Sequence, residues 1–248
     1  MSNYSKIEWT NASWNPIRGC TKVSEGCFNC YAEAFAERFR GVPGHPYEQG
    51  FDLRLIREKI EEPLKWRKPK KVFVCSMSDL FHEEVPIEFI RKVFNTMNRA
   101  NRHIFQILTK RTDRLLKIHK KLDWTFNIWI GTSIELEKYA YRANILSEIP
   151  ATIRFLSLEP LLGPIKNLSL KKIDWVILGG ESGSKSRPME LNWALSIKNL
   201  CVQNKIPFFF KQLGGRNSKR GGKDALLEGR IWHQYPKINI DQLNNKIY

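Results

Sequence analysis

Six short apolar runs, separated by segments with helical patterning, dominate the sequence. The runs are rich in β-branched and aromatic residues, as in KVFVCSM at 71–77, IFQILTK at 104–110 and DWVILGGES at 174–182. Continuous apolar runs of this length are typical of strands that are buried on both faces. The segments 87–101, 135–149 and 190–205 have the apolar spacing of amphipathic helices. The alternation predicts an α/β fold with mostly parallel strands, either an open sheet or, as we favour, a complete or partial (β/α) barrel.

Polar side chains recur at the carboxyl ends of these runs. In a parallel barrel the carboxyl ends of the strands share one rim, and active sites are built on that rim. Taken singly, each of these residues is at least as typical of a helix cap or a turn. Their recurrence nevertheless predicts one shared pocket, formed by Ser76, Ser78, Asp79, Lys110, Arg111, Thr132, Ser133, Glu135, Glu159, Glu181, Lys211 and Gln212.

Three of the five cysteines, Cys20, Cys27 and Cys30, lie close together with the spacing C-x6-C-x2-C. Clustered thiols in a reducing compartment indicate a metal site more often than a disulfide. Structural zinc usually takes four protein ligands, and no second C-x2-C pair is present. Cys75 and Cys201 lie in a predicted strand and a predicted helix, where cysteine is typically a small buried apolar residue. Three thiolates also suit a four-iron, four-sulfur cluster with one iron left open for a ligand.

The chain is strongly basic, with 41 Lys and Arg against 25 Asp and Glu and a formal net charge of +16. This excess attracts polyanions, so a nucleic acid or nucleotide is the expected partner, although many basic proteins bind none specifically. The stretch 211–236 combines Gly, Lys and Arg with aromatic residues and is either a phosphate-tracking segment or a basic tail. We expect a cytoplasmic protein, because no apolar run is long enough to span a membrane.

The segment WNPIRGCTKVSEGCFNCYAEAFAERF resembles the start of radical S-adenosylmethionine (radical SAM) enzymes, in which a C-x3-C-x2-C motif precedes a helix. An aromatic residue, Phe28, lies before Cys30, and Tyr31 follows it, as in those enzymes. Here three additional residues separate the first two cysteines. Nearly the whole chain is similar to a phage-associated three-cysteine family of unknown function, in SMSDLFH, FQILTKR, GTSIE, FLSLEPLL and GGESG.

The resemblance implies a barrel of the radical SAM type over residues 1–215, followed by a basic extension over 216–248. It implies that the three cysteines bind a 4Fe-4S cluster and that S-adenosylmethionine binds the open iron. An electron from an external donor would then cleave the cofactor to a 5′-deoxyadenosyl radical, which would modify or repair a nucleic acid or nucleotide.

The rim residues receive roles from their position at the strand ends and from their chemistry, and no catalytic residue is assigned. Cofactor contacts are expected from Ser76, Ser78, Asp79, Thr132, Ser133, Glu135, Glu159 and Glu181. Substrate contacts are expected from Lys110, Arg111, Lys211 and Gln212. The alternative is a non-catalytic nucleic-acid-binding phage protein that uses the same thiols for a structural zinc or iron-sulfur site.

Overall fold

The structure, a computed structural model, describes residue 5 and residues 7–215 and 225–237. A curled sheet of seven parallel strands, flanked by helices, forms a half barrel. Each strand pairs with the next one along the chain, as a succession of β–α units produces. The strands are β1 (Ala12–Trp14), β2 (Lys71–Val74), β3 (Ile104–Thr109), β4 (Ile128–Ser133), β5 (Ile153–Leu158), β6 (Trp175–Gly179) and β7 (Phe208–Gln212).

The predicted α/β class and parallel strands are confirmed, and of the two barrel forms the structure is the partial one. Within the described residues β1 and β7 are the two edges of the sheet and do not pair with each other. All six apolar runs contain a strand of this sheet. The short first strand, β1, pairs with β2 and completes the sheet on that side.

Five α-helices accompany the strands in the described part of the chain. Those predicted at 87–101 and 190–205 are present, whereas the helical pattern at 135–149 forms only a short helix after a 3-10 turn. None of the helices within the described part of the chain has the length and apolar character needed to cross a membrane. The helices are α1 (Tyr31–Ala36), α2 (Ile87–Arg99), α3 (Thr112–Ile118), α4 (Tyr141–Leu146) and α5 (Leu191–Gln203).

The two faces of the sheet bury different side chains, because successive residues of a strand point to opposite sides. One face, with Val72, Val74 and Leu156, packs in a core that also contains the helices. The other, concave face carries a separate cluster of mostly aromatic side chains that includes Trp9 and Trp175. Trp9 lies 4.8 Å from Phe73 between ring centroids and also contacts Phe155 and Trp175, and Trp175 in turn contacts Phe209. This cluster fills the bottom of the half barrel.

The described end of the chain, residues 225–237, packs along the edge strand β7. Phe210 N donates to Trp232 O (2.7 Å), and Gln234 N donates to Phe208 O (3.1 Å). The Trp175 indole donates to Gln234 O (2.8 Å), which ties the same segment to the aromatic cluster. Residues 216–224 and 238–248, which hold much of the predicted basic extension, lie outside the described residues. The predicted division of the chain at 215/216 stays a prediction.

Candidate functional site

A cavity of about 420 Å³ opens above the aromatic cluster, at the carboxyl ends of the strands. Trp9 and Phe73 form part of its apolar wall. Most of the residues predicted for the site line this cavity, and they come from the ends of β2 to β7 and from the loop after β1: Cys20, Cys27, Cys30, Ser76, Ser78, Asp79, Lys110, Arg111, Ser133, Glu159, Glu181, Lys211 and Gln212. The structure therefore brings together side chains that are far apart in the sequence.

Two of the predicted cofactor contacts, Thr132 and Glu135, are buried outside the cavity lining. The Thr132 hydroxyl donates to Thr109 O (2.9 Å) and so joins two neighbouring strands. Glu135 lies beneath the loop that carries the cysteines, where the Ser24 hydroxyl donates to it (2.7 Å).

The three-cysteine loop, residues 19–30, runs from the short strand Ile17–Arg18 to α1 and contributes to the lining of the cavity. It begins at Gly19, whose φ of +78° and close contact with the Asp52 carbonyl exclude a side chain: a Cβ there would lie 2.2 Å from that oxygen. Cys27 ends a 3-10 turn, and Cys30 directly precedes α1. The Tyr31 hydroxyl donates to Ser76 O (2.6 Å), which fixes the start of α1 against the end of β2.

Two cationic side chains at the end of β3 face the thiols. Lys110 Nζ lies 3.6 Å from Cys27 Sγ, and Arg111 Nη1 lies 3.6 Å from Cys20 Sγ. Burial raises the pKa of Cys27, but the Lys110 charge and hydrogen bonds from Ser24 and the nearby backbone outweigh it and leave that pKa below its ordinary value. Burial, supported by the Asp79 charge, raises the pKa of Cys20 to about 12. The two cations predicted to bind substrate thus lie against sulfur.

The donor set suits a thiolate-bound group, because three thiols share the cavity with N–H donors directed at two of the sulfurs. Thiolates are the usual ligands of iron-sulfur clusters, and hydrogen bonds to sulfur tune such clusters. Within the described residues, no three His, Cys, Asp or Glu side chains converge closely enough to hold a metal ion. The chemistry of the three thiols and their common cavity suit a cluster, whereas their spacing in this structure does not gather three ligands around one metal ion.

Asp79 lines the cavity, but both of its carboxylate oxygens already accept hydrogen bonds from other residues of the chain. Phe81 N (2.9 Å) and Thr109 Oγ1 (2.8 Å) donate to Oδ1. Lys110 N donates to Oδ2 (3.1 Å), and the Arg111 guanidinium lies 3.5 Å from the same oxygen. The carboxylate thereby fixes the turn after β2 to the end of β3.

Glu159 and Lys211 form an ion pair on the cavity wall, with Lys211 Nζ 3.1 Å from Glu159 Oε1. The Ser157 hydroxyl donates to the other carboxylate oxygen (3.2 Å). Burial lowers the pKa of Lys211, but the Glu159 charge outweighs it, so that pKa lies above its ordinary value. A carboxylate in an apolar run needs a partner because an unpaired buried charge is costly, and Lys211 is that partner.

Sequence reasoning missed two residues of the site, Asn29 and Arg187, which both bind Glu181. Asn29 Nδ2 donates to Glu181 Oε2 (3.0 Å), and Arg187 donates to the same oxygen from its backbone N (2.8 Å) and Nε (2.9 Å). Burial raises the pKa of Glu181, but the hydrogen bonds from Arg187 and Asn29 outweigh it and lower that pKa. The position of Asn29 between two cysteines was visible in the sequence; Arg187 lies in a loop without a periodic pattern.

A family model described as "Protein of unknown function (DUF5131)" matches residues 4–236, so the chain belongs to that family. Comparison with curated proteins and with solved structures finds no match. The phage association and the cytoplasmic location expected from the sequence stay predictions.

Proposed function

We propose that this member of the DUF5131 family is a radical SAM-like enzyme that modifies or repairs a nucleic acid or nucleotide. In this proposal Cys20, Cys27 and Cys30 hold a 4Fe-4S cluster, and the adjoining cavity holds S-adenosylmethionine and substrate. One observation carries the proposal: three thiols from a single loop line the same cavity as polar side chains from the ends of six parallel strands. A purely structural metal site does not need such a cavity beside it.

The bound cluster would supply the electron, received from an external donor, that cleaves S-adenosylmethionine to a 5′-deoxyadenosyl radical. The protein's part is to bind, orient and exclude water. Ser76 and Ser78 line the cavity at the end of β2, next to the cysteine loop. Their hydroxyls donate to Asn15 Oδ1 (3.2 Å) and Ile17 O (2.9 Å), which leaves the hydroxyl oxygens to accept hydrogen bonds from polar groups of the cofactor. Trp9 and Phe73 close the cavity from below and keep the reacting groups apart from bulk water.

The nucleic acid or nucleotide substrate is supported by the net charge of +16. Lys211 and Gln212 line the cavity at the end of β7. The Lys211 ammonium pairs with Glu159 and Gln212 Nε2 donates to Gly180 O (3.0 Å), so the substrate would take the N–H donors that these two contacts do not use. Lys110 and Arg111 are assigned to the sulfurs, where their positive charge stabilises thiolate ligands.

The test is reductive cleavage of S-adenosylmethionine by anaerobically reconstituted protein, followed as 5′-deoxyadenosine by liquid chromatography. We expect product from the parent and from Cys201→Ser, a matched control because Cys201 is buried in α5 away from the cavity. We expect none from Cys27→Ser. A colourless parent that holds one zinc, binds nucleic acid and forms no product would instead establish the non-catalytic alternative.

A further inference from the structure

Two carboxylates contact the three-cysteine loop from different sides: Glu135, which follows β4, and Glu181, which follows β6. We propose that Glu135 and Glu181 are positioning residues that fix this loop in its folded path before any metal binds. The sequence had suggested both as cofactor contacts. Only the purpose of this positioning rests on the proposed function. The contacts that support it, and the experiment that tests it, concern the metal-free protein.

On the first side, Glu135 is completely buried beneath the loop. The Ser24 hydroxyl donates to Glu135 Oε1 (2.7 Å), and the Lys110 ammonium pairs with the same oxygen. The backbone of Gly26 packs directly on this carboxylate: a Cβ at position 26 would lie 2.5 Å from Oε1. The loop therefore touches Glu135 through a hydrogen bond at one residue and through close packing two residues later.

The segment after Glu135 makes a second contact with the loop. Arg142 Nη1 donates to Glu135 Oε2 (3.2 Å), and its guanidinium lies 4.1 Å from the centre of the Tyr139 ring. The Tyr139 hydroxyl in turn donates to Glu25 Oε2 (2.5 Å). Three consecutive loop residues, 24 to 26, are thus fixed to the segment 135–142.

On the second side, Glu181 accepts from Asn29 Nδ2 (3.0 Å) and pairs with Arg187. Arg187 Nη2 donates to Glu25 O (3.0 Å), so the same guanidinium binds both Glu181 and the loop backbone. Glu181 is 6% exposed. The anchored residues lie on both sides of Cys27 in the sequence, and Asn29 directly precedes Cys30.

This arrangement gives the loop its shape without help from a ligand. Ordering a backbone costs conformational entropy, and a loop that is already ordered in the folded chain loses less of it on binding. The two carboxylates also share their cations with the loop: Lys110 contacts both Glu135 and Cys27. A change at either carboxylate is therefore expected to loosen the loop in the metal-free state.

The experiment measures hydrogen–deuterium exchange over residues 19–30 and iodoacetamide alkylation of each cysteine in reduced, metal-free protein. The variants are Glu135→Gln, Glu181→Gln and, from the loop side, Ser24→Ala/Asn29→Ala. Glu88→Gln is the control, because Glu88 pairs only with Arg91 on the exposed face of α2 in the described contacts.

We expect exchange at the loop amides and alkylation of Cys27 to rise at least about tenfold in the first three variants, as the loss of hydrogen bonds to charged groups implies. Protection of α2 and the low reactivity of the buried Cys75 and Cys201 should stay unchanged, which separates local loosening from unfolding. Glu88→Gln should match the parent.

Exchange and alkylation equal to the parent in both Ser24→Ala/Asn29→Ala and Glu181→Gln would overturn the proposal. If Glu135→Gln does not fold, these two variants decide the outcome, since neither alters the buried Glu135. Loosened loops in a protein that binds no iron would overturn the proposed function and leave the positioning role intact. Unaffected loops in a protein whose parent binds a cluster would overturn the positioning role alone.

Discussion

The substitution Asp79→Asn tests whether the rim is organised by buried carboxylates. Asp79 and Glu83 both pair with the guanidinium of Arg111, but their side chains are 8% and 61% exposed. Asparagine keeps the shape of Asp79 and removes its charge. It also turns an N–H donor toward groups that already donate to the carboxylate, among them the Thr109 hydroxyl and Lys110 N.

The magnitude follows from burial. Removing one partner of a buried ion pair costs about 3–5 kcal/mol, and hydrogen bonds to charged groups contribute about 1.5–3 kcal/mol each. Because asparagine retains one acceptor oxygen, we expect the free energy of unfolding to fall by about 3 kcal/mol. For a chain of this size that corresponds to a decrease in Tm of about 6–12 °C.

The assay is reversible urea unfolding followed by tryptophan fluorescence, with Glu83→Gln as the matched control. An exposed ion pair contributes about 0–1 kcal/mol, so Glu83→Gln should lower the free energy of unfolding by no more than that. The reasoning is refuted if Asp79→Asn unfolds at the same urea concentration as the control.

Further predictions concern packing, pH and the chain end. Gly131→Ala should destabilise by about 1–3 kcal/mol in urea unfolding, because its Cβ would lie 2.4 Å from the Phe155 ring; parent-like stability would contradict the tight packing of the concave face. The pKa of Glu181 is lower in the folded protein than its ordinary value of 4.5. Its ionised carboxylate therefore adds to the free energy of unfolding at pH values above 4.5, and this addition is lost as the pH falls through the lower folded-state pKa. The stability difference between the parent and Glu181→Gln should therefore shrink below pH 4.5, and a difference that grows would contradict the assignment. Deleting residues 216–248 uncovers the edge of β7, so gel filtration should show aggregation; a folded monomer would contradict it.

The main features of the fold could be predicted from the sequence because the strands are buried on both faces. Runs such as 104–110 and 174–182 are mostly apolar, and this pattern can be recognised in the sequence without knowing which strands pair. The three-residue strand β1 is too short to give such a pattern. The sequence also could not predict that the barrel stays open, because closure depends on the pairing of β1 with β7 and not on local sequence.

The sequence predicted which residues lie together in the site, but it did not predict which groups each of them contacts. Strand ends of a parallel sheet share a rim, so Asp79, Glu159 and Glu181 were expected together. Whether a carboxylate faces a ligand or a cation of its own chain depends on side-chain packing. Arg187 illustrates this, since its pairing with Glu181 comes from an irregular loop that carries no periodic signal.

The most direct measurement is the iron and sulfide content, with the absorption spectrum, of the anaerobically reconstituted parent, of Cys20→Ser/Cys27→Ser/Cys30→Ser and of Cys201→Ser. The account predicts about four irons per chain and a brown colour in the parent and in Cys201→Ser, with both lost in the triple variant. Equal iron content and an unchanged spectrum in the triple variant would contradict it.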